Sequence, residues 1–178
     1  MKKTDRIDDR MYVIRAQLGD DEAFMKLVNH YSGRLLYYIR RLLEDADRSE
    51  DVLQEVWLKV YKKINTLRDE SAFPVWLYRT ARNRAIRLLR DESRYVFVEQ
   101  FDEPALIDDD CESLSFDDVN KLHRVLKTLS PEQKEAIILR FFEEMSYQEI
   151  SDIVGCSIGT VRSRIHYAKQ ELRKKMEI

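Results

Sequence analysis

The sequence predicts an all-α protein: two small helical domains joined by an acidic linker, the second domain a helix-turn-helix. Three observations carry that prediction. Apolar residues recur at helical spacing along most of the 178 residues, which include only four Gly and three Pro. Charge is sorted along the chain. Residues 1–90 hold 19 Lys/Arg against 14 Asp/Glu, residues 91–120 hold one basic residue against 11 acidic ones, and residues 121–178 hold 11 against 8. The net charge of −2 therefore hides two mildly basic blocks on either side of an acidic segment. Finally, the stretch 146–168 contains two short helices with separate start signals. The expected division is a first domain at 1–92, a linker at 93–117 and a second domain at 118–178.

Composition narrows the function classes. A hydrophobic content of 44% with 36% charged residues fits a soluble, mostly helical protein. No apolar run approaches the roughly 18 residues of a membrane helix. The start MKKTDRIDDR lacks the apolar centre of a signal peptide, so a cytoplasmic chain without membrane insertion is expected. Cys111 and Cys156 are far apart and lack a CxxC partner, which suggests neither a disulfide framework nor a zinc site. Cys156 reads as a small filler in a turn rather than a redox switch. His30, His123 and His166 sit on different elements, with no phosphate-binding loop and no supported Ser/His/Asp arrangement. A protein that is not an enzyme, with no cofactor and no metal, is expected.

In chain order, a short helix at about 7–18 comes first. Asp20, Asp21 and Glu22 then precede Phe24, Leu27, Val28, Tyr31, Leu35, Tyr38, Ile39 and Leu42, helical spacing held for five turns behind an acidic start that complements the helix dipole. Gly33 inside this helix costs about 1 kcal/mol relative to Ala and is read as marking a close helix contact. The next helix, 48–67, turns Leu53, Val56, Trp57, Val60, Ile64 and Leu67 to one side. Asp51, Gln54, Glu55, Leu58 and Lys62 fall on the other. An acidic and amide face around one apolar anchor fits a docking site with a polar rim. A solvated face with one stray Leu fits equally well.

A polar loop at 68–72 leads to Pro74, placed where a helix starts. Residues 79–90 contain five arginines and no acid. Leu77, Ala81, Ala85 and Leu88 form the inward stripe. Trp76, Arg79, Asn83, Arg87 and Arg90 share the other face, with Arg82 and Ile86 at its edge. Arginines supply phosphate contacts, and an aromatic and an Asn among them can stack on or hydrogen-bond a base. The alternative is a solvated arginine face paired with neighbouring Glu, which the absence of acids at helical spacing disfavours.

The pattern then breaks down in the acidic stretch 91–116, which reads as a linker. Val119, Leu122, Val125, Leu126 and Leu129 restart a helix. Ser130-Pro131-Glu132-Gln133 is a capping box with Pro at the first helical position, opening a helix that carries Ile137, Ile138, Phe141 and Phe142. Ser146 with Glu149 forms a second box; Ile150, Ile153 and Val154 give its helix an apolar stripe; Gly155 suits the left-handed closing position and Ser157 caps the next helix. There Ile158, Val161, Ile165, Ala168 and Leu172 face inward. Arg162, Ser163, His166 and Lys169 point out, with Arg164 and Tyr167 at the flanks. This describes a helix-turn-helix; the alternative is an ordinary helical hairpin with a solvated basic face.

Three stretches together, S-E-D-V-L-Q-E-V-W-L-K-V-Y (49–61), F-P-V-W-L-Y-R-T-A-R-N (73–83) and the segment 129–168, make the sequence resemble the extracytoplasmic-function (ECF) group of bacterial RNA polymerase sigma factors. The resemblance spans both basic blocks. It implies a first domain that binds core polymerase through Asp51, Gln54, Glu55, Leu58 and Lys62. It implies that Trp76, Arg79, Arg82, Asn83, Arg87 and Arg90 of that domain, with the loop 68–72, handle the single-stranded −10 promoter element. It implies a second domain that reads the −35 element as duplex with Arg162, Ser163 and Arg164 at the major groove, on a surface that includes Ser157, Thr160, His166, Tyr167 and Lys169. The linker would thread toward the polymerase active centre, and an anti-sigma factor is an implied partner. Many members carry Asp four residues after the Asn, where this chain has Arg87, so −10 preference does not transfer from relatives. The competing reading is a free-standing helix-turn-helix regulator, which has no need of the 51–62 face or the arginine helix.

Overall fold

The computed structural model describes residues 3–91, 126 and 128–176, with side chains described from Asp9 to Lys175. The expected linker at 93–117, and with it Cys111, Val119, Leu122, His123 and Val125, lies outside the described residues. The chain divides into two compact units, the first helices in one and most of the later ones in the other. Each is described by itself, with helices numbered among the described residues.

The first unit contains α1 (Lys3–Gln17), α2 (Asp21–Leu43), α3 (Ala46–Lys63), two 3-10 turns (Ile64–Thr66 and Glu70–Ala72) and α4 (Phe73–Asp91). Helix α2 is central and packs on α1, α3 and α4, while α3 also packs on α4. Its buried residues Leu27, Tyr31, Leu35, Tyr38 and Ile39 follow the spacing expected from sequence. They meet Val52, Val56 and Val60 of α3 and Phe73, Leu77, Tyr78 and Ala81 of α4 in the core. The core is rich in aromatic rings set edge-on or tilted, Tyr31 to Phe73 at 5.7 Å and Tyr38 to Tyr78 at 5.3 Å, geometry that suits ring quadrupoles. A buried phenol needs a partner, and the Tyr31 hydroxyl donates to the Asp9 carboxylate at 2.5 Å.

Helix starts in this unit are fixed by aspartates. Asp20 accepts from the Ala23 N–H at 3.0 Å and Asp45 from the Arg48 N–H at 3.1 Å, satisfying donors that a helix N-terminus leaves unpaired. With Asp45 as cap, α3 begins at Ala46, earlier than the periodicity indicated, and its last turn tightens into the 3-10 turn at Ile64. Gln17 closes the end of α1 against that turn, its amide donating to the Ile64 and Leu67 carbonyls at 2.9 and 2.8 Å. The expectation for Gly33 is corrected. It lies on the exposed side of α2, where an added Cβ meets nothing within 4 Å, so no close helix contact requires it.

The later helices are α5 (Pro131–Ile137), a π turn (Ile138–Phe142), α6 (Tyr147–Val154) and α7 (Ile158–Met176), with α5 packed on α7; all of them belong to the second unit except Asp152–Val154 of α6, which group with the first. Both capping boxes are formed, Ser130 with Gln133 and Ser146 with Glu149. Gly155 closes α6 at φ 75°, and Ser157 accepts from the Thr160 N–H at 3.1 Å to start α7. Ala136, Ile137, Ile138, Leu139, Ile150, Val161, Ile165 and Ala168 are buried. Two apolar residues are not where the helical period put them. The wider π turn rotates Phe141 to the exposed side, and Ile158, at the first position of α7, is exposed rather than inward. Among the described residues no helix is long and apolar enough to cross a membrane.

Candidate nucleic-acid interface

Three faces were marked by sequence, and the structure brings the first two together on one unit. On α3, burial of Val52, Val56, Trp57 and Val60 turns Asp51, Gln54, Glu55, Leu58 and Lys62 outward, and all five are exposed. Leu58 is 62% exposed at the centre of the face. The side chains of Asp51, Gln54 and Lys62 make no hydrogen bond or ion pair among the described residues. Sequence reasoning missed Tyr61, which is exposed one turn beyond Leu58, stacks edge-on with Phe24 at 5.0 Å and donates to Asp21 at 3.2 Å. Its spacing of three from Leu58 was the available signal.

On α4, Arg79, Asn83, Arg87 and Arg90 are exposed along one side, and Trp76 is half-buried with its ring 6.2 Å from Phe73. Arg87 approaches Asp91 only to 3.9 Å with both groups exposed, an ion pair of little consequence. Arg82 is a correction. Expected at the edge of the DNA-facing side, it is buried, because it lies one turn from buried Tyr78 and three residues before buried Ala85 on the inward side of α4. Arg84 also departs from expectation. Its guanidinium Nη2 donates to Glu55 Oε1 at 2.9 Å and its Nε donates to Oε2. That hydrogen bond holds the Glu55 carboxyl below its ordinary value and the Arg84 guanidinium above its own. For Arg84, pairing with a neighbouring Glu is what occurs.

The loop 68–72 is more ordered than its polar composition suggested. Asp69 accepts from the Ser71 hydroxyl at 2.5 Å and the Ser71 N–H at 2.9 Å, which closes the 3-10 turn and lowers the Asp69 carboxyl. The turn leads directly into Phe73 and Pro74, so it fixes where α4 and its arginines begin.

On α7, Arg162 and Tyr167 are exposed, as is the cap Ser157; Thr160, Arg164, His166 and Lys169 are half-buried. The Arg162 guanidinium lies 5.8 Å over the ring of Tyr147, which Arg140 also approaches at 5.2 Å, so the first helix of the pair orders a cation of the second. Arg164 turns toward the inter-helix turn, with Nη1 3.7 Å from Cys156 Sγ. His166 bonds Gln170 at 3.1 Å and tilts against Tyr167. Ser163 is the second correction. Expected to point out, it is buried, its hydroxyl shared between the Gly159 and Thr160 carbonyls at 3.1 Å, since a short hydroxyl side chain can fold back on its own helix.

Residues 27–95 match the family described as Sigma-70 region 2, and residues 120–172 match Sigma-70, region 4. The chain is 32% identical to an RNA polymerase sigma-H factor of Pseudomonas aeruginosa, over 95% of this chain and 94% of that one. It is 33% identical to an ECF RNA polymerase sigma-E factor of Haemophilus influenzae, over 97% of both chains. Among solved structures it is similar to the sigma factor RpoE in complex with the anti-sigma factor NepR from Bartonella quintana. There the TM-score is 0.68 and the identity 27%, over 87% of this chain and 97% of that one.

Proposed function

The chain belongs to the sigma-70 family of RNA polymerase sigma factors, in its ECF group, and from that premise we propose how its faces divide the work of directing core polymerase to promoters. The first domain, 1–92, docks on core polymerase through Asp51, Gln54, Glu55, Leu58 and Lys62 of α3. The same domain takes the −10 strand along α4. Asn83 offers a donor and an acceptor side by side to an exposed base edge, Trp76 offers a stacking surface, and Arg79, Arg87 and Arg90 offer charge to phosphates. Arg82, being buried, is left out of that contact.

The second domain, 118–178, reads the −35 duplex with α7 in the major groove. Arg162 is the reader, with Ser157, Thr160, His166, Tyr167 and Lys169 on the same surface. Arg164, turned to Cys156, and Ser163, folded onto its helix, support the shape of the turn. The linker, 93–117, carries its acids into the polymerase, and an anti-sigma factor is a further partner, by likeness to the RpoE of the NepR complex.

The observation that carries the polymerase assignment is the exposed Leu58 at the centre of a polar face on the same unit as the arginine helix. A free-standing regulator needs neither. The test is pull-down with core polymerase followed by run-off transcription, comparing wild type with Gln54→Ala/Leu58→Ala. Truncating a central anchor costs about 2 kcal/mol or more at an interface hot spot, so core capture and run-off product are expected to fall together. Full core binding by the double variant removes the α3 assignment.

A further inference from the structure

Glu55 stands in the same exposed row as Asp51, Gln54 and Leu58, yet it is the member held from inside the chain. Arg84, 29 residues later on α4, grips both carboxylate oxygens in a fork, Nη2 on Oε1 and Nε on Oε2. The side chains are 28% and 49% exposed. A planar guanidinium fixes a carboxylate's orientation in a way that a single contact does not. A carboxylate offers about four acceptor positions, and Arg84 uses two. The rest stay open to a donor arriving from outside. The fork also commits Arg84 to α3. Arg79 and Arg90, by contrast, have no partner among the described residues and are free for phosphates.

We propose that Arg84 is a positioning residue for polymerase docking, holding the Glu55 carboxylate in one orientation on the α3 face for a basic group of the polymerase, and that it does not itself touch promoter DNA. The inference rests on the reading of the α3 face as the polymerase face. Ordering a flexible side chain before docking spares that cost at the moment of binding, an effect of about two- to tenfold in affinity. The opposing effect is that Arg84 offsets part of the Glu55 charge. At a half-exposed site in salt that loss is screened, so ordering prevails.

The experiment measures affinity of the full chain for core polymerase, in wild type, Arg84→Ala, Glu55→Ala and the double variant, with Gln54→Ala/Leu58→Ala alongside. Arg84→Ala is expected to weaken binding about two- to tenfold, and to weaken it no further when Glu55 is already Ala. Arg84→Lys, which keeps the charge without the fork, is expected to fall between wild type and Arg84→Ala. With polymerase saturating, Arg84→Ala is expected to bind −10 single strands as wild type does. Unchanged or tighter core binding by Arg84→Ala, while Gln54→Ala/Leu58→Ala still loses it, overturns the inference and leaves the α3 face standing. If the α3 variants also bind normally, the face itself is wrong. Additive losses in the double variant, or weaker binding of single strands, would show that Arg84 acts on its own and sink its positioning role.

Discussion

Aspartates cap three helical turns of the first unit, and serines cap three helices of the second. Asp20, Asp45 and Asp69 cap α2, α3 and the second 3-10 turn, while Ser130, Ser146 and Ser157 cap α5, α6 and α7. The long helices of the first unit also depend on bonds between residues far apart in sequence: Tyr31 to Asp9, Gln17 to Ile64 and Leu67, Arg84 to Glu55. At the helix starts and turns of the second unit, bonds between near neighbours recur, as in Ser151 to the Cys156 carbonyl at 2.6 Å. Both units have a packed core, but the first adds bonds between distant helices while the second, whose α5 packs on α7, adds the geometry of a tight turn. Different substitutions should break them.

The largest expected effect is on packing. Phe73 is fully buried at the start of α4, with Tyr31 and Trp76 around its ring. Phe73→Ala should destabilise the first unit by about 3–5 kcal/mol through lost transfer energy and the cavity left behind. Both tryptophans, Trp57 and Trp76, lie in this unit, so fluorescence during denaturant unfolding reports on it selectively. A midpoint unchanged from wild type would mean that α4 is not anchored by this ring.

A smaller effect should reach the second unit through the backbone. Gly155 sits at φ 75° with open space around its missing Cβ, so the obstacle to a side chain is conformation and not collision. Gly155→Ala should cost about 1–2 kcal/mol, the penalty of a left-handed residue with a Cβ. Hydrogen exchange is the measurement. The Gly155 N–H, bonded to the Ser151 carbonyl at 2.9 Å, and the amides of α6 should exchange faster. Unaltered exchange there would mean the turn tolerates another closing conformation.

This contrast also explains what could be read from the sequence. From Ser130 to Ala168 the caps and turn of the second unit are legible in the sequence, because capping boxes, a closing Gly and a helical stripe are rules about neighbours three or four apart. Phe141 escaped because a π turn inserts a residue into that count, and Ser163 because hydroxyl groups can bond their own helix. In the first unit the faces of α3 and α4 followed from period alone, and the exposed Asp51, Leu58, Asn83 and Arg90 lie where it put them. The burial of Arg82 and the Glu55–Arg84 fork did not follow. Both depend on how helices far apart in sequence meet. The start of α3 was misplaced for a local reason, since Asp45 and Ala46 precede any apolar repeat.

The smallest effect concerns protons, and it separates the two kinds of cap. Asp20 accepts from the Ala23 N–H and from Arg15 Nε at 2.7 Å. The backbone bond first, and Arg15 after it, lower the carboxyl from its ordinary value of 3.8. A carboxyl depressed in the folded state adds stability that is present above 3.8 and is lost as pH falls through the folded value. Asp69, lowered by Ser71, adds a second contribution of the same sign. The hydroxyls of Ser130, Ser146 and Ser157 do not titrate in this range. Acid should therefore loosen the starts of α2 and the second 3-10 turn ahead of the Ser130 and Ser157 caps of the second unit, which contain no carboxylate. The measurement is unfolding of wild type and Asp20→Asn from pH 7 to pH 2, followed by tryptophan fluorescence. Asn keeps a capping oxygen but carries no proton equilibrium, so a small deficit at neutral pH should vanish as the pH drops below 3.8. A deficit that stays constant to pH 2 would show that the Asp20 charge contributes nothing, and that its cap works as a neutral hydrogen bond like those of the serines.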